Sequence, residues 1–224
     1  MKIAVLIALL MPAIGSRAAA DMLLYDNTTT DTGDTVFYSV GPYTALGDDI
    51  QLASAGTAAM AEVELFNNGD AGTFDARLNF FNVGSPVGTP LGSFGVTDIP
   101  SAGSDVINIT FTLGAGLSVP QDLIFTVTVS NVSPNMDLGV DMFQPPTVGS
   151  SDPSFMIVES NDVYNHLGTN DENVYFQLVG TAGTAAPEAS SLTLLGTGLL
   201  LAGIAARVRK HPSRSPRSGR KFAL

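Results

Sequence analysis

The 224 residues contain no cysteine and no tryptophan. Without cysteine the chain has no disulfide and no thiolate metal ligand, so its fold rests on burial and strand pairing. Positive charge is nearly missing from the middle of the chain. Arg77 is the only Lys or Arg between residues 21 and 187, and all 21 acidic residues except Glu188 fall in that same stretch. The resulting 20 acidic groups against one basic group give this body a net charge of -19. A surface of that sign repels nucleic acid and anionic lipid headgroups. It attracts cations, calcium above all. It also reads simply as a solvated coat that keeps the domain in solution.

Histidine is almost as scarce. Of two in the chain, only His166 lies in the body. A zinc hydrolase of the His-Glu-x-x-His type therefore has no place here. A Ser/His/Asp relay would have to use His166, and the Gly-x-Ser-x-Gly elbow that usually presents such a serine does not occur. Tyr164-Asn165-His166-Leu167-Gly168 reads as a turn context, which makes His166 a plain loop residue.

Long apolar runs are confined to the two ends. Lys2 gives a positive start, Ile3 to Ile14 a short apolar stretch, and Ala18-Ala19-Ala20 a set of small residues. Residues 1–20 thus read as a signal peptide for the Sec translocon, with Ala18 and Ala20 at the peptidase site and a mature chain from Asp21. Leu192 to Ala206 is apolar apart from Thr193 and Thr197, and Arg207, Arg209 and Lys210 follow at once. This predicts a transmembrane helix over residues 190–206 with a basic tail over 207–224. The positive flank stays cytoplasmic, which leaves the N-terminal side of the helix, and so the body, outside.

The body between them reads as β. Val106 to Leu113, Leu123 to Val129, Ala61 to Leu65, Arg77 to Phe80 and Val174 to Leu178 alternate apolar and polar residues and are rich in β-branched and aromatic types. Asn67-Asn68-Gly69-Asp70, Gly84-Ser85-Pro86, Pro100-Ser101-Ala102-Gly103 and Ser133-Pro134-Asn135 punctuate them as turns. About nine or ten short strands without a helical face predict an all-β, antiparallel two-sheet sandwich over residues 21–184, with a jelly-roll-like order.

Candidate chemistry in this body is carried by carboxylates. Calcium takes six to eight oxygens. Asp31 with Asp34, Asp48 with Asp49, and Asp152, Asp162, Asp171 and Glu172 in the late segment are the groups that would supply them as a structural Ca²⁺ site. Neither an EF-hand loop nor a glycine-rich nonapeptide repeat is present, so the signal is compositional. Glycoside hydrolysis needs two carboxyl groups across a cleft. Asp48-Asp49, Glu62 with Glu64, and Asp171-Glu172 are the adjacent sets, and hydrolysis is the least favoured reading. Tyr38, Tyr43, Phe143 and Tyr164 offer faces for stacking on sugar rings, although core positions account for most of them more economically.

Pro187-Glu188, then Ala189-Ser190-Ser191, then the Gly- and Leu-rich run Leu194 to Leu201, then the Arg cluster, resemble the PEP-CTERM sorting signal. Ala189 stands where the family's second proline belongs, and His211 to Leu224 trail beyond the basic cluster. The resemblance implies that residues 185–224 are read by exosortase, a membrane protease-transpeptidase of exopolysaccharide-producing Gram-negative bacteria. Gly47 to Ala53, Gly88-Thr89-Pro90-Leu91 and Pro145 to Ser151 also resemble an ectodomain that recurs among PEP-CTERM proteins. That resemblance implies a sandwich of carbohydrate-binding-module type with no catalytic residue. Together these readings imply a non-enzymatic surface or matrix protein of exopolysaccharide or biofilm. A carbohydrate-recognition module is the alternative.

Overall fold

Period-two alternation becomes continuous strand in four of the five runs where the sequence predicts it, and further strands form where the sequence gives no such pattern. A computed structural model describes residues 21–41, 43–84, 88–159, 164–167 and 172–183. The leader with Ala18 and Ala20 lies outside them. So do Asp162, Asp171, Pro187, Glu188, the predicted helix over 190–206, and Arg207, Arg209 and Lys210. Among the described residues no helix is long and apolar enough to cross a membrane. The chain divides into one unit ending at Gly183 and a second from Thr184 to Leu224.

In chain order the strands are β1 (Met22–Asn27), β2 (Asp31–Phe37), β3 (Tyr43–Gln51), β4 (Gly56–Asn67), β5 (Gly72–Asn82), β6 (Gly92–Ser101) and β7 (Asp105–Val119). There follow β8 (Asp122–Ser130), β9 (Leu138–Phe143), β10 (Ser150–Ser151), β11 (Phe155–Glu159), β12 (Tyr164–Leu167), β13 (Asn173–Val174) and β14 (Phe176–Ala182). A single 3-10 turn at Tyr38–Val40 separates β2 from β3. All pairings are antiparallel and make two seven-stranded sheets. Sheet A runs β1-β14-β4-β9-β13, with β2 also on β9 and β7 on the other edge of β4. Sheet B runs β12-β11-β3-β8-β5-β6, with β10 on β3.

The predicted strand over Val174 to Leu178 is broken. At Tyr175 the chain leaves β9 and joins β4, so β13 and β14 are separate strands, and the Tyr175 amide donates to Asp141 O at 2.9 Å. The turns over Asn67–Asp70 and Ser133–Asn135 stand where predicted. Pro100 and Ser101 instead extend β6, so that turn begins at Ala102.

The core lies between the sheets. Inward positions of β4, β5, β7, β8 and β14 bring together Val63, Leu65, Phe74, Leu78, Phe80, Phe111, Phe125, Val127, Phe176 and Leu178, all fully or nearly fully buried. Phe176 of sheet A stacks on Phe125 of sheet B with ring centroids 3.9 Å apart and planes 13° from parallel. Tyr25 and Phe80 meet the same ring at 6.0 and 6.2 Å. Each such side chain contributes about 1.5–3 kcal/mol of transfer free energy. A chain without disulfides depends on that sum.

Candidate functional site

On the outer face of sheet B, cross-strand register builds a site from three distant parts of the sequence. Gly47 of β3, Met156 of β11 and His166 of β12 lie side by side, because Met156 pairs with both of the others. Asp49, two residues along β3 from Gly47, points to the same face and stands beside Ile124 of β8, itself paired with Phe81 of β5. Met156, Ile124 and Phe81 form a small buried apolar cluster. The segment just after β10 supplies Asp152. Asp49, Asp152 and His166 each bring a ligand-type atom to this point, all within 4.8 Å of one another. A glycine at 47 is required for close approach of the strands, since a Cβ there would meet the Phe125 carbonyl oxygen at 2.0 Å.

The electrostatics of this cluster are those of crowded negative charge. Burial first, and then the charge of Asp152, push the Asp49 carboxyl up, while His166 pulls it down. Asp49 Oδ1 is shielded from solvent, accepts no hydrogen bond, and faces His166 Nδ1 at 3.9 Å. Ser154 connects the other two members. Its hydroxyl donates to Asp152 Oδ1 at 3.2 Å and lies 3.4 Å from His166 Nδ1. Ser154 and Asp49 thus approach the same ring nitrogen. A hydrolytic relay needs the serine on one imidazole nitrogen and the carboxylate on the other, so this arrangement is not one. It is instead a set of one imidazole and two carboxylates converging on a point, beside a cleft of about 360 Å³ lined by Asp49, Gln51, Asp122, Ser151 and Asp152 among others.

This geometry revises the sequence-predicted site residues. His166 lies on edge strand β12, whose four residues are all exposed, and not in a loop. The turn-like sequence carries no alternation because neither face of the strand is buried. Asp48 and Asp49 do not act together. Successive residues of a strand point to opposite faces, and Asp48 is fully buried on the side away from Asp49. Burial, then the charges of Asp49 and Asp152, hold the Asp48 carboxyl far above the usual carboxylate range, against backbone N–H bonds from Asp49 and Val174. Glu172 precedes β13, outside the cluster. Asp31 and Asp34 lie on β2, whose register shifts between Asp31 and Thr35, and not in an open loop. Asp31 Oδ1 is occupied by the amide of Gly33, a residue at φ +80°.

A second polar arrangement covers the outer face of sheet A. Thr35, Asp141, Glu64 and Asn108 come from β2, β9, β4 and β7, and register places them in one row. The Thr35 hydroxyl donates to Asp141 Oδ1 at 2.5 Å. Burial, followed by the charges of Asp141 and Asp31, pushes Glu64 up to about 7, and burial likewise raises Asp141. Asp31, Asp34, Thr35, Glu64 and Asp141 share a shallow cleft of about 260 Å³. The next row runs Asp26, Gln177, Glu62 and Thr110. There Gln177 donates to Asp26 at 3.3 Å and the Tyr175 hydroxyl to Glu62 Oε1 at 2.8 Å. Neighbouring Glu62 and Glu64 show up in the sequence as an outward pair, whereas their partners Asp31 on β2, Asp141 on β9 and Tyr175 between β13 and β14 are distant in sequence and have no local signal.

The four aromatics do not assemble a stacking face. Phe143 is buried edge-on against Tyr175, Tyr38 and Tyr43 are partly buried against the core, and only Tyr164 is exposed. The segment Pro145 to Ser151 serves as a latch on β1. Thr147 donates from its amide to Asp26 O at 2.7 Å and from its hydroxyl to Asp26 Oδ2 at 2.6 Å, and Asp26 N donates to Val148 O at 3.0 Å.

Outside these strands, residues 185–210 match the family model of the PEP-CTERM protein-sorting motif. The match starts at Ala185 and ends at Lys210, so it takes in Pro187, Glu188, the apolar run and the basic cluster and leaves out His211 to Leu224. The chain therefore carries a PEP-CTERM sorting motif in its C-terminal region. No curated protein and no solved structure matches the chain.

Proposed function

We propose that this chain is a non-enzymatic surface or extracellular-matrix protein, delivered by an exosortase-type sorting system after Sec export and associated with exopolysaccharide or biofilm. The observation that carries the reading is the sorting motif over residues 185–210 attached to an acidic two-sheet β body. The apolar run before Arg207, Arg209 and Lys210 supports membrane insertion with the body outside, followed by cell-surface or extracellular release on processing. A non-enzymatic role is supported by the geometry around His166, where serine and carboxylate meet one ring nitrogen. The jelly-roll reading is supported by the nested orders β2-β9-β4-β7 and β3-β8-β5-β6, in which consecutive strands mostly cross between sheets.

The test is intact mass and fractionation of the full chain expressed with and without exosortase. The expected product with the enzyme starts at Asp21 and ends near Glu188, and it leaves the membrane. A chain that keeps its tail in the inner membrane in both hosts would overturn exosortase sorting and leave a simple anchored domain.

The alternative, a carbohydrate-recognition module, is favoured by one observation. The two polar rows on sheet A present carboxylate, amide and hydroxyl groups at strand spacing, which suits a sugar's ring of hydroxyls. Binding of the chain to a glycan array, lost on changing Glu62 or Gln177, distinguishes it.

A further inference from the structure

We infer that Asp49, Asp152 and His166 form a binding site for one divalent transition-metal ion of the zinc class, which clips edge strand β12 to β3. Four observations converge. The three side chains are of the ligand types that zinc uses, and their donor atoms lie within 4.8 Å of one another. A tetrahedral ion with bonds of about 2.0–2.2 Å separates its ligand atoms by about 3.3–3.6 Å. Closing from the observed positions therefore needs only side-chain rotation of Asp152 and His166, both exposed, towards the better-buried Asp49.

The second observation is the Asp49 Oδ1 atom, shielded from water, accepting no hydrogen bond, and directed at the imidazole. Two carboxylates crowded on an apolar floor of Met156, Ile124 and Phe81 call for a cation. Among the Lys and Arg residues the body offers only Arg77, which is engaged with Ser93 at 3.3 Å. The third is Ser154. Its hydrogen bond to Asp152 orients that ligand from outside the coordination shell, the role such partners play around bound metals.

The fourth is the choice of ion. A calcium site is built from oxygen ligands, six to eight of them. An imidazole with two carboxylates suits zinc and its neighbours and leaves a fourth position for water. The site thus differs from the calcium pairing of Asp48 with Asp49, because the strand sends Asp48 inward. It fastens the exposed four-residue strand β12, which among the described residues pairs with β11, to the third strand of the sheet.

The test is calorimetric titration of the metal-stripped full chain with Zn²⁺, with Co²⁺ absorption as a second readout of ligand geometry. All proteins carry His211→Ala, which removes the only other imidazole. The expected result is one zinc per chain, a Co²⁺ spectrum of tetrahedral type, and a zinc-induced rise in melting temperature. His166→Gln and Asp152→Asn, both at exposed positions, should each weaken zinc by about tenfold or more and abolish the thermal shift. Asp122→Asn, in the neighbouring cleft, should leave all three unchanged. Zinc affinity within about threefold of the parent in both His166→Gln and Asp152→Asn, or no saturable zinc binding, would overturn the inference.

Discussion

Replacing Glu64 by Gln isolates the electrostatic cost of the sheet A face. Glu64 is half-buried in a row with Asp141, and burial together with the charges of Asp141 and Asp31 lifts it from 4.5 to about 7. A carboxyl with a higher pKa folded than unfolded holds its proton more tightly in the native state. Its favourable contribution is then complete below about 4.5 and is lost as pH rises through 7. At 1.36 kcal/mol per pH unit the gap corresponds to about 3 kcal/mol. Solvent reaches the group, so screening reduces this to about 1–2 kcal/mol. Gln keeps a donor for Asp141 and carries no charge. Glu64→Gln should therefore melt about 3–6 °C above wild type at pH 8, converge with it near pH 4, and show a flatter stability profile between. Thermal unfolding followed by circular dichroism at pH 4, 6 and 8 in chelator gives the answer. Equal melting temperatures at pH 8, or an unchanged slope from pH 4 to 8, would refute the reasoning.

Phe176→Ala removes the ring that Phe125, Tyr25 and Phe80 share and should cost about 3–5 kcal/mol in urea unfolding, with Phe176→Leu losing clearly less. Thr147→Val removes the hydroxyl bond of the latch to Asp26 and leaves its backbone bonds in place. Burial pushes Asp26 up, but hydrogen bonds from Thr147, Thr28 and Gln177 outweigh it and hold the carboxyl below its usual value. That contribution is present above about pH 4 and lost as pH falls, so the variant should have a smaller acid-side loss in an acid titration of stability.

The sequence made the class of fold legible because its clearest strands have one wet face. Val106 to Leu113 and Ala61 to Leu65 alternate, and β7 and β4 stand there, whereas Leu123 to Val127 of β8 are all buried. Strand β9, Leu138–Phe143, is buried at every position, and four of the five residues of β11 are buried as well. Burial on both faces erases period two, so a run such as Phe-Met-Ile-Val carries no strand-specific pattern. Strand β2 shows no pattern for the opposite reason: Asp31, Gly33 and Asp34 are exposed, and its first half has no apolar face. The cluster on sheet B was legible only in its parts. Asp49 and Asp152 stand among acidic groups that composition singles out, but which of them meet depends on the pairing of β3 with β11 and of β11 with β12. No local spacing encodes that register. The tail, by contrast, is a linear signal, and the residues that suggest it are those the family model matches.

The place of β14 has a consequence for the order in which the body closes. This last strand sits between β1 and β4, pairing Met22 with Gly180 on one side and Val63 with Phe176 on the other. Until residues 176–182 arrive, the first strand has no neighbour in sheet A, Phe125 lacks the ring it stacks on, and β4 shows a bare edge over its first half. A chain that emerges from its N-terminus thus holds an open seam for most of its length and seals it with the final strand before Gly183. Completion of the sandwich is in this way timed to the appearance of the segment that carries the sorting motif.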